Sequence, residues 1–180
     1  MDAVRSVLIR RGRPDEAGAL AAFGERVFRE AFAAQNRAAD LEMYIGRAYG
    51  HSQQLAELND PDVTTLVAEV EGKLAGFAQV RPGETPPCVP GPAPIELWRF
   101  YVDRPFQGMG VAGRLMQAVV ESALARDART LWLGVWERNP RAQGFYRKCG
   151  FVDVGKHAFV LGSDIQTDRV MARPLVSFPS

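Results

Sequence analysis

The sequence predicts one mixed α/β domain, with a central, mostly antiparallel sheet flanked by helices. Three observations predict it. β-rich runs both open and close the chain, and a single strand–helix–strand unit stands between them. The composition, 47% hydrophobic and 24% charged over 180 residues, suits a single globular core.

Val4 to Arg10 reads as a first strand, broken by Gly12, Arg13 and Pro14, with Asp15 and Glu16 placed where a helix start favours acid. From Ala19 to Gln35 the residues Leu20, Phe23, Val27, Ala31 and Phe32 recur at three- and four-residue steps, which predicts a helix with one buried face. A second helical stretch, Ala39 to Leu58, carries Leu41, Tyr44, Ile45, Ala48 and Leu55 and ends at Asn59-Asp60-Pro61. Val63 to Val70 and Leu74 to Val80, joined by Glu71-Gly72-Lys73, form an antiparallel hairpin. Arg81 to Pro94 holds six of the twelve prolines and reads as an extended surface loop, either a wall of a substrate entrance or a plain spacer. Ile95 to Val102 is a strand and Val111 to Arg126 a helix built on Leu115, Val119, Ala123 and Leu124. Thr130 to Trp136 is a further strand, Ala142 to Lys148 a short helix, and Phe151 to Val160 and Val170 to Leu175 are closing strands.

A formal net charge of +1 gives no global field for a polyanion, so no nucleic-acid partner is expected. The Arg10, Arg11 and Arg13 cluster reads as a solvated strand end or a small phosphate patch. No segment stays apolar for the length of a membrane span, and the start lacks a signal-peptide run, so the expectation is a cytoplasmic protein with no membrane partner. Cys88 and Cys149 are expected as free thiols. His51 and His157 belong to no metal-ligand spacing, and no metal site is expected.

Chemistry concentrates between the Ile95–Val102 strand and the next helix. Gln107, Gly108, Met109, Gly110, Val111 and Ala112 lead into a helix whose first N–H groups lack intrahelical acceptors. Glycines there let a ligand approach the backbone, and the helix dipole favours an anion, so the turn suits a phosphate or diphosphate. Gly108, Gly110 and Gly113 also match the dinucleotide fingerprint, but polar residues separate them from the strand and the unit is not repeated. No Gly-Lys-Ser/Thr follows, so a P-loop does not fit.

Gln107-x-x-Gly110-x-Ala112 resembles the acetyl-CoA diphosphate signature of the GNAT superfamily of N-acetyltransferases. The downstream block Asn139 to Phe151, with Ala142, Phe145, Tyr146, Gly150 and Phe151, is similar to that family's Asn…Ala-x-x-Phe-Tyr-x-x-x-Gly-Phe segment. The resemblance implies a GNAT fold over 1–180. Its parts would be an acceptor-side region over 1–62, a sheet core with the diphosphate turn over 63–136, and the catalytic helix and closing strands over 137–180. It further implies acetyl-CoA as cosubstrate, held by the backbone of Gln107 to Ala112, by the strand end Tyr101-Val102 and by the Asn139 amide. Tyr146 would give a proton to the departing thiolate. Glu96 stands at the family's common position for a base. A backbone N–H near Val102 would polarise the thioester carbonyl, and Phe145 is expected in the core. The alternatives to catalysis are an acyl-CoA-binding sensor and a small dinucleotide-binding protein.

Phe28 to Phe32, Asn36, Asp40, Tyr44 and Leu55 to Leu58, with Phe159 to Gly162, Gln166, Asp168 and Met171, resemble the PaiA-like polyamine acetyltransferases. That resemblance implies a small di- or polyamine acceptor, drawn by carboxylates such as Glu30, Asp40 and Glu42. A homodimer is open to a chain of this kind.

Overall fold

A computed structural model describes residues 6–176 of the chain. Strands β1 (Val7–Arg11), β2 (Thr64–Val70), β3 (Lys73–Arg81), β4 (Pro94–Val102), β5 (Thr130–Trp136), β6 (Val152–Leu161) and β7 (Asp164–Pro174) form one sheet in the order β1-β2-β3-β4-β5-β7-β6. Helices α1 (Ala17–Phe32), α2 (Ala38–Ala48), α3 (His51–Asn59), α4 (Val111–Leu124) and α5 (Pro140–Lys148) flank it. Every neighbouring pair is antiparallel except β4 with β5, joined through α4. Val4, assigned above to the first strand, lies outside the described residues.

Two boundaries differ from the sequence reading. The stretch 39–58 is two helices, because the chain turns at Tyr49 and Gly50, and Gly50 adopts an extended conformation. Apolar spacing runs through the break, so periodicity alone does not show it. The carbonyl of Ala48, freed at the break, accepts from Gln54 Nε2 (2.8 Å) and Arg99 Nη2 (3.3 Å). The turn buries Tyr49 against Phe28, Tyr44 and Tyr101. At the other end of the chain, β7 begins at Asp164 rather than Val170, since its first residues pair with β6 while lying near the surface.

Alternation sorts the sheet into two faces. Leu131, Leu133, Val135 and Met171 pack with Val111, Leu115, Met116 and Val119 of α4 on one face. On the opposite face Leu20 and Phe23 of α1 pack with Val67 and Phe77, and Phe28 of α1 and Ile45 of α2 pack with Leu161 of β6. The proline-rich loop covers the β5, β7 and β6 half of that face, with Cys88 and Val89 seated on Trp132, Val170 and Ala172.

A buried ion pair ties α3 to the sheet. Arg99 donates to Glu57 and to Gln79 Oε1 (2.5 Å), and Gln79 Nε2 donates to Glu57 (3.0 Å). Removing one partner from such a pair strands the other charge in the core. Glu57→Ala is therefore expected to lower the unfolding free energy by about 3 kcal/mol. Urea melts should show this, and Glu57→Ala with Arg99→Met should cost less than the two single changes together.

The feature that positions the site is a seam. β4 and β5 pair only at Pro94, Ile95 and Glu96 with Thr130, Leu131 and Trp132. Beyond Glu96 and Trp132 the two strands diverge, and a gap opens through the middle of the sheet.

Candidate active site in the opened seam

The turn between β4 and α4 is built by its own residues. Asp103 accepts from the Arg104 N–H (2.8 Å) and takes both Nη atoms of Arg26 on α1 (2.9 and 2.8 Å). That guanidinium holds the Asp103 carboxyl below its ordinary range. Arg104 to Phe106 makes one 3-10 turn, and Gly108 and Gly110 follow, both at φ +80°. Gly110 caps α4, and the first helical bond runs from the Arg114 N–H to its carbonyl (3.2 Å). The N–H groups of Val111, Ala112 and Gly113 therefore open the helix facing outward.

These groups border a cleft of about 660 Å³, walled by the ends of β4 and β5, by α1 and by α5. Tyr101, Val102, Gln107, Gly108, Gly110, Ala112, Asn139 and Tyr146 all line it, so the structure brings together most of the residues assigned above to acetyl-CoA. Some details differ. The Gln107 N–H is already bonded to the Arg104 carbonyl (3.2 Å), which starts the outward-facing donors after it. Its side chain donates to the Val102 carbonyl (3.1 Å) and accepts from Arg141, stapling the turn to α5. The side chains of Met109 and Val111 serve the core, and only their backbone is left to a ligand. Tyr101 turns its phenol to the opposite face, onto Tyr49.

Asn139 caps α5, its Oδ1 accepting from the Ala142 N–H (3.1 Å), so only the amide nitrogen remains for a ligand. Two turns on, Tyr146 packs on Phe100 and Phe151, and loss of solvent around it pushes its phenol well above the ordinary range. The phenol is thus held protonated. Phe145, expected in the core, is half-buried: it stacks on Phe100 (5.5 Å) and lines the cleft.

Glu96 requires correction. It stands on β4 at the last residue pair before the seam opens, and it does not line the cleft. Its carboxylate takes the Arg81 Nε (2.7 Å) beneath Gly83 of the proline-rich loop, so it is already charge-paired and covered. The carboxylates named for the acceptor also divide. Glu30 lines the cleft, whereas Glu42 pairs with Arg29 on the surface. Asp40 is buried, accepting from Ser163 N (2.7 Å) and Oγ (2.6 Å). That contact and the Gln166 to Asn36 bond (2.5 Å) fasten the segment between α1 and α2 to the β6–β7 hairpin. The proline-rich loop packs on the sheet instead of walling the cleft, although its Pro82, Gly83 and Glu84 line a smaller cavity beside Trp98. Arg10, Arg11 and Arg13 are occupied by Glu16, Glu69, Thr64 and Asp15.

Three arginines at the cleft, Arg104, Arg138 and Arg141, were missed from sequence. Arg104 and Arg138 precede the two motifs and Arg141 lies within the second, and that adjacency is the signal that could have found them. Trp136 and the α1 residues Val27 and Ala31 were also missed, since only the tertiary fold brings them to the seam. Among the described residues no group of His, Cys, Asp and Glu could hold a metal, and no helix is long and apolar enough to cross a membrane.

Comparison with known proteins gives a consistent picture. The family model for the acetyltransferase (GNAT) family matches residues 26–151. An uncharacterised N-acetyltransferase of Mycobacterium tuberculosis is 36% identical over 126 residues, covering 69% of this chain and 76% of the relative. Another, encoded in the pepI 3′ region of Lactobacillus delbrueckii subsp. lactis, is 28% identical over 155 residues, covering 86% and 90%. Among solved structures, the PaiA N-acetyltransferase of Thermoplasma acidophilum in complex with coenzyme A superposes with a TM-score of 0.78 over 94% of this chain and 99% of that one, at 19% identity. That last likeness concerns the fold.

Proposed function

Because the chain belongs to the acetyltransferase (GNAT) family, and its activity is N-acetyl transfer, we propose that the acceptor is a primary amine of a small molecule, of the di- or polyamine class, attacked directly in a ternary complex. One observation carries the reading. The gap between β4 and β5 lies between an open helix N-terminus and a half-buried, protonated phenol. The cleft fits acetyl-CoA: its N–H donors and Arg104, Arg138 and Arg141 suit the diphosphate and phosphate charges, and its apolar wall of Phe100, Ala142 and Phe145 suits a chain without charge. Bound there, acetyl-CoA supplies an activated acyl carbon. Gly108 to Ala112 would hold the diphosphate, and the unpaired edge of β4 and the Asn139 amide would align the pantetheine arm. A backbone N–H near Val102 would polarise the carbonyl, and Tyr146 would protonate the leaving sulfur.

The test is a panel of amines supplied with acetyl-CoA, following free thiol release and acetylated product. Turnover of a di- or polyamine with a lower KM than that of simple amines is the expected result. Binding of acetyl-CoA with no amine turned over would instead mark an acyl-CoA sensor.

A further inference from the structure

Gly134 is exposed in the middle of an otherwise buried strand, with Leu133 and Val135 on either side of it in the core. It lies two residues past the last β4–β5 pair and faces away from α4, toward the side of the sheet opposite Tyr146. Two polar side chains converge on Gly134 just outside the lining of the cleft. A Cβ at Gly134 would meet His157 Nε2 at 2.7 Å and Asp168 Oδ2 at 3.1 Å. The two residues are register partners on β6 and β7, and Asp168 is also opposite Trp136, which lines the cleft.

The Asp168 side chain is 12% exposed, and among the described residues it has no hydrogen bond; His157 Nε2 is 3.7 Å away. Its chain neighbour Arg169 turns aside to Asp153 (2.8 and 2.6 Å). The opening is otherwise aromatic, with the Trp132 ring edge-on to His157 and Tyr44 against Phe159. Tyr44 on α2 feels Asp168 together with Tyr101 and Arg99 of β4 and Arg81 at the end of β3, and Cys88 of the loop lies beside Gly155. Arg81 and Arg99 both lie over the Trp98 ring and are paired with Glu96 and Glu57. A carboxylate without a cation, an imidazole and aromatic walls make a site for an ammonium group.

We propose that His157 and Asp168 receive the reacting amine on the acceptor side of the seam, Asp168 balancing its ammonium charge and His157 Nε2 taking its proton before attack. The proposal rests on the acetyl-transfer reading and gives that reaction the base that Glu96 does not supply. The ammonium proton passes to Nε2, and the freed nitrogen pair forms the C–N bond as the C–S bond breaks. The sulfur leaves with that bond's electrons and is protonated by Tyr146; the second amine proton is lost to solvent from the acetylated nitrogen. The imidazolium left behind lies beside Asp168.

The chain has two histidines, so the imidazole resonances can be assigned without disturbing the site: in exposed His51→Gln, the remaining imidazole is His157. Titrating butane-1,4-diamine into the coenzyme A-bound protein should move the His157 Hε1 signal and leave His51 in place, and Asp168→Asn should weaken that response about tenfold or more. In turnover, His157→Gln should lower kcat/KM for the amine about 100-fold with the affinity for acetyl-CoA unchanged, and Asp168→Asn should act mainly on the amine KM. A His157 signal that stays still on titration, or a His157→Gln enzyme with the wild-type kcat/KM, overturns the proposal. Thiol release with none of the amines counts against the acetyl-transfer reading, while the imidazole response decides the ammonium site separately.

Discussion

Gly110→Asp abolishes acetyl-CoA binding while the protein stays folded: this is the expected result with the largest effect. Gly110 caps α4 at φ +80°, and no atom lies within 4 Å of where its Cβ would stand, so the new side chain points into open space without a clash. Left-handed backbone costs a non-glycine residue about 1–2 kcal/mol, and aspartate is among the residues that tolerate it. A carboxylate at a helix N-terminus is itself favourable, which further limits the loss of stability. The same carboxylate would occupy the outward-facing N–H groups and place negative charge where the diphosphate belongs. Calorimetry should find affinity for acetyl-CoA reduced by about 100-fold or more, against a melting temperature lowered by about 2–8 °C. Tight binding by this variant would sink the assignment of the turn.

Tyr146→Phe should separate chemistry from binding. The substitution removes one oxygen from a ring packed on Phe100 and Phe151, leaving the α5 contacts in place. Burial keeps this phenol protonated at neutral pH, the state a proton donor needs. Loss of a general acid is worth about 10²–10⁴ in rate, so kcat should fall by at least the lower figure with the acetyl-CoA dissociation constant nearly unchanged. An unchanged kcat would take Tyr146 out of the acid role and leave it as packing beneath the thioester.

Both residues could be singled out from sequence because each sits in a pattern of local geometry. A glycine before a helix and an aromatic pair within two turns of an Asn-Pro cap carry their structural meaning within a few positions. The alternation of β2, β3 and β5 and the stripe of α4 were legible for the same reason. What long-range contact decides was not. Glu96 had the right position along β4, but its ion pair with Arg81 comes from an adjacent strand and its cover from a loop of irregular backbone. Asp40, named above as a carboxylate that would draw the acceptor, is taken instead by Ser163 of the β6–β7 turn. His157 and Asp168 sit in a strand pair whose register no local pattern sets, so their meeting at Gly134 could not be read from spacing.

The short parallel pairing of β4 with β5 has a mechanical consequence. Two half-sheets, one of four strands and one of three, are stitched in the middle by three residue pairs, so the wedge between them is where the molecule is most easily pried apart. A cosubstrate arm lying along that bare edge would act as a keystone, supplying main-chain contacts that the polypeptide leaves out. Resistance to heat should therefore rise with the concentration of coenzyme A, by about 2.7 kcal/mol at a hundred times its dissociation constant.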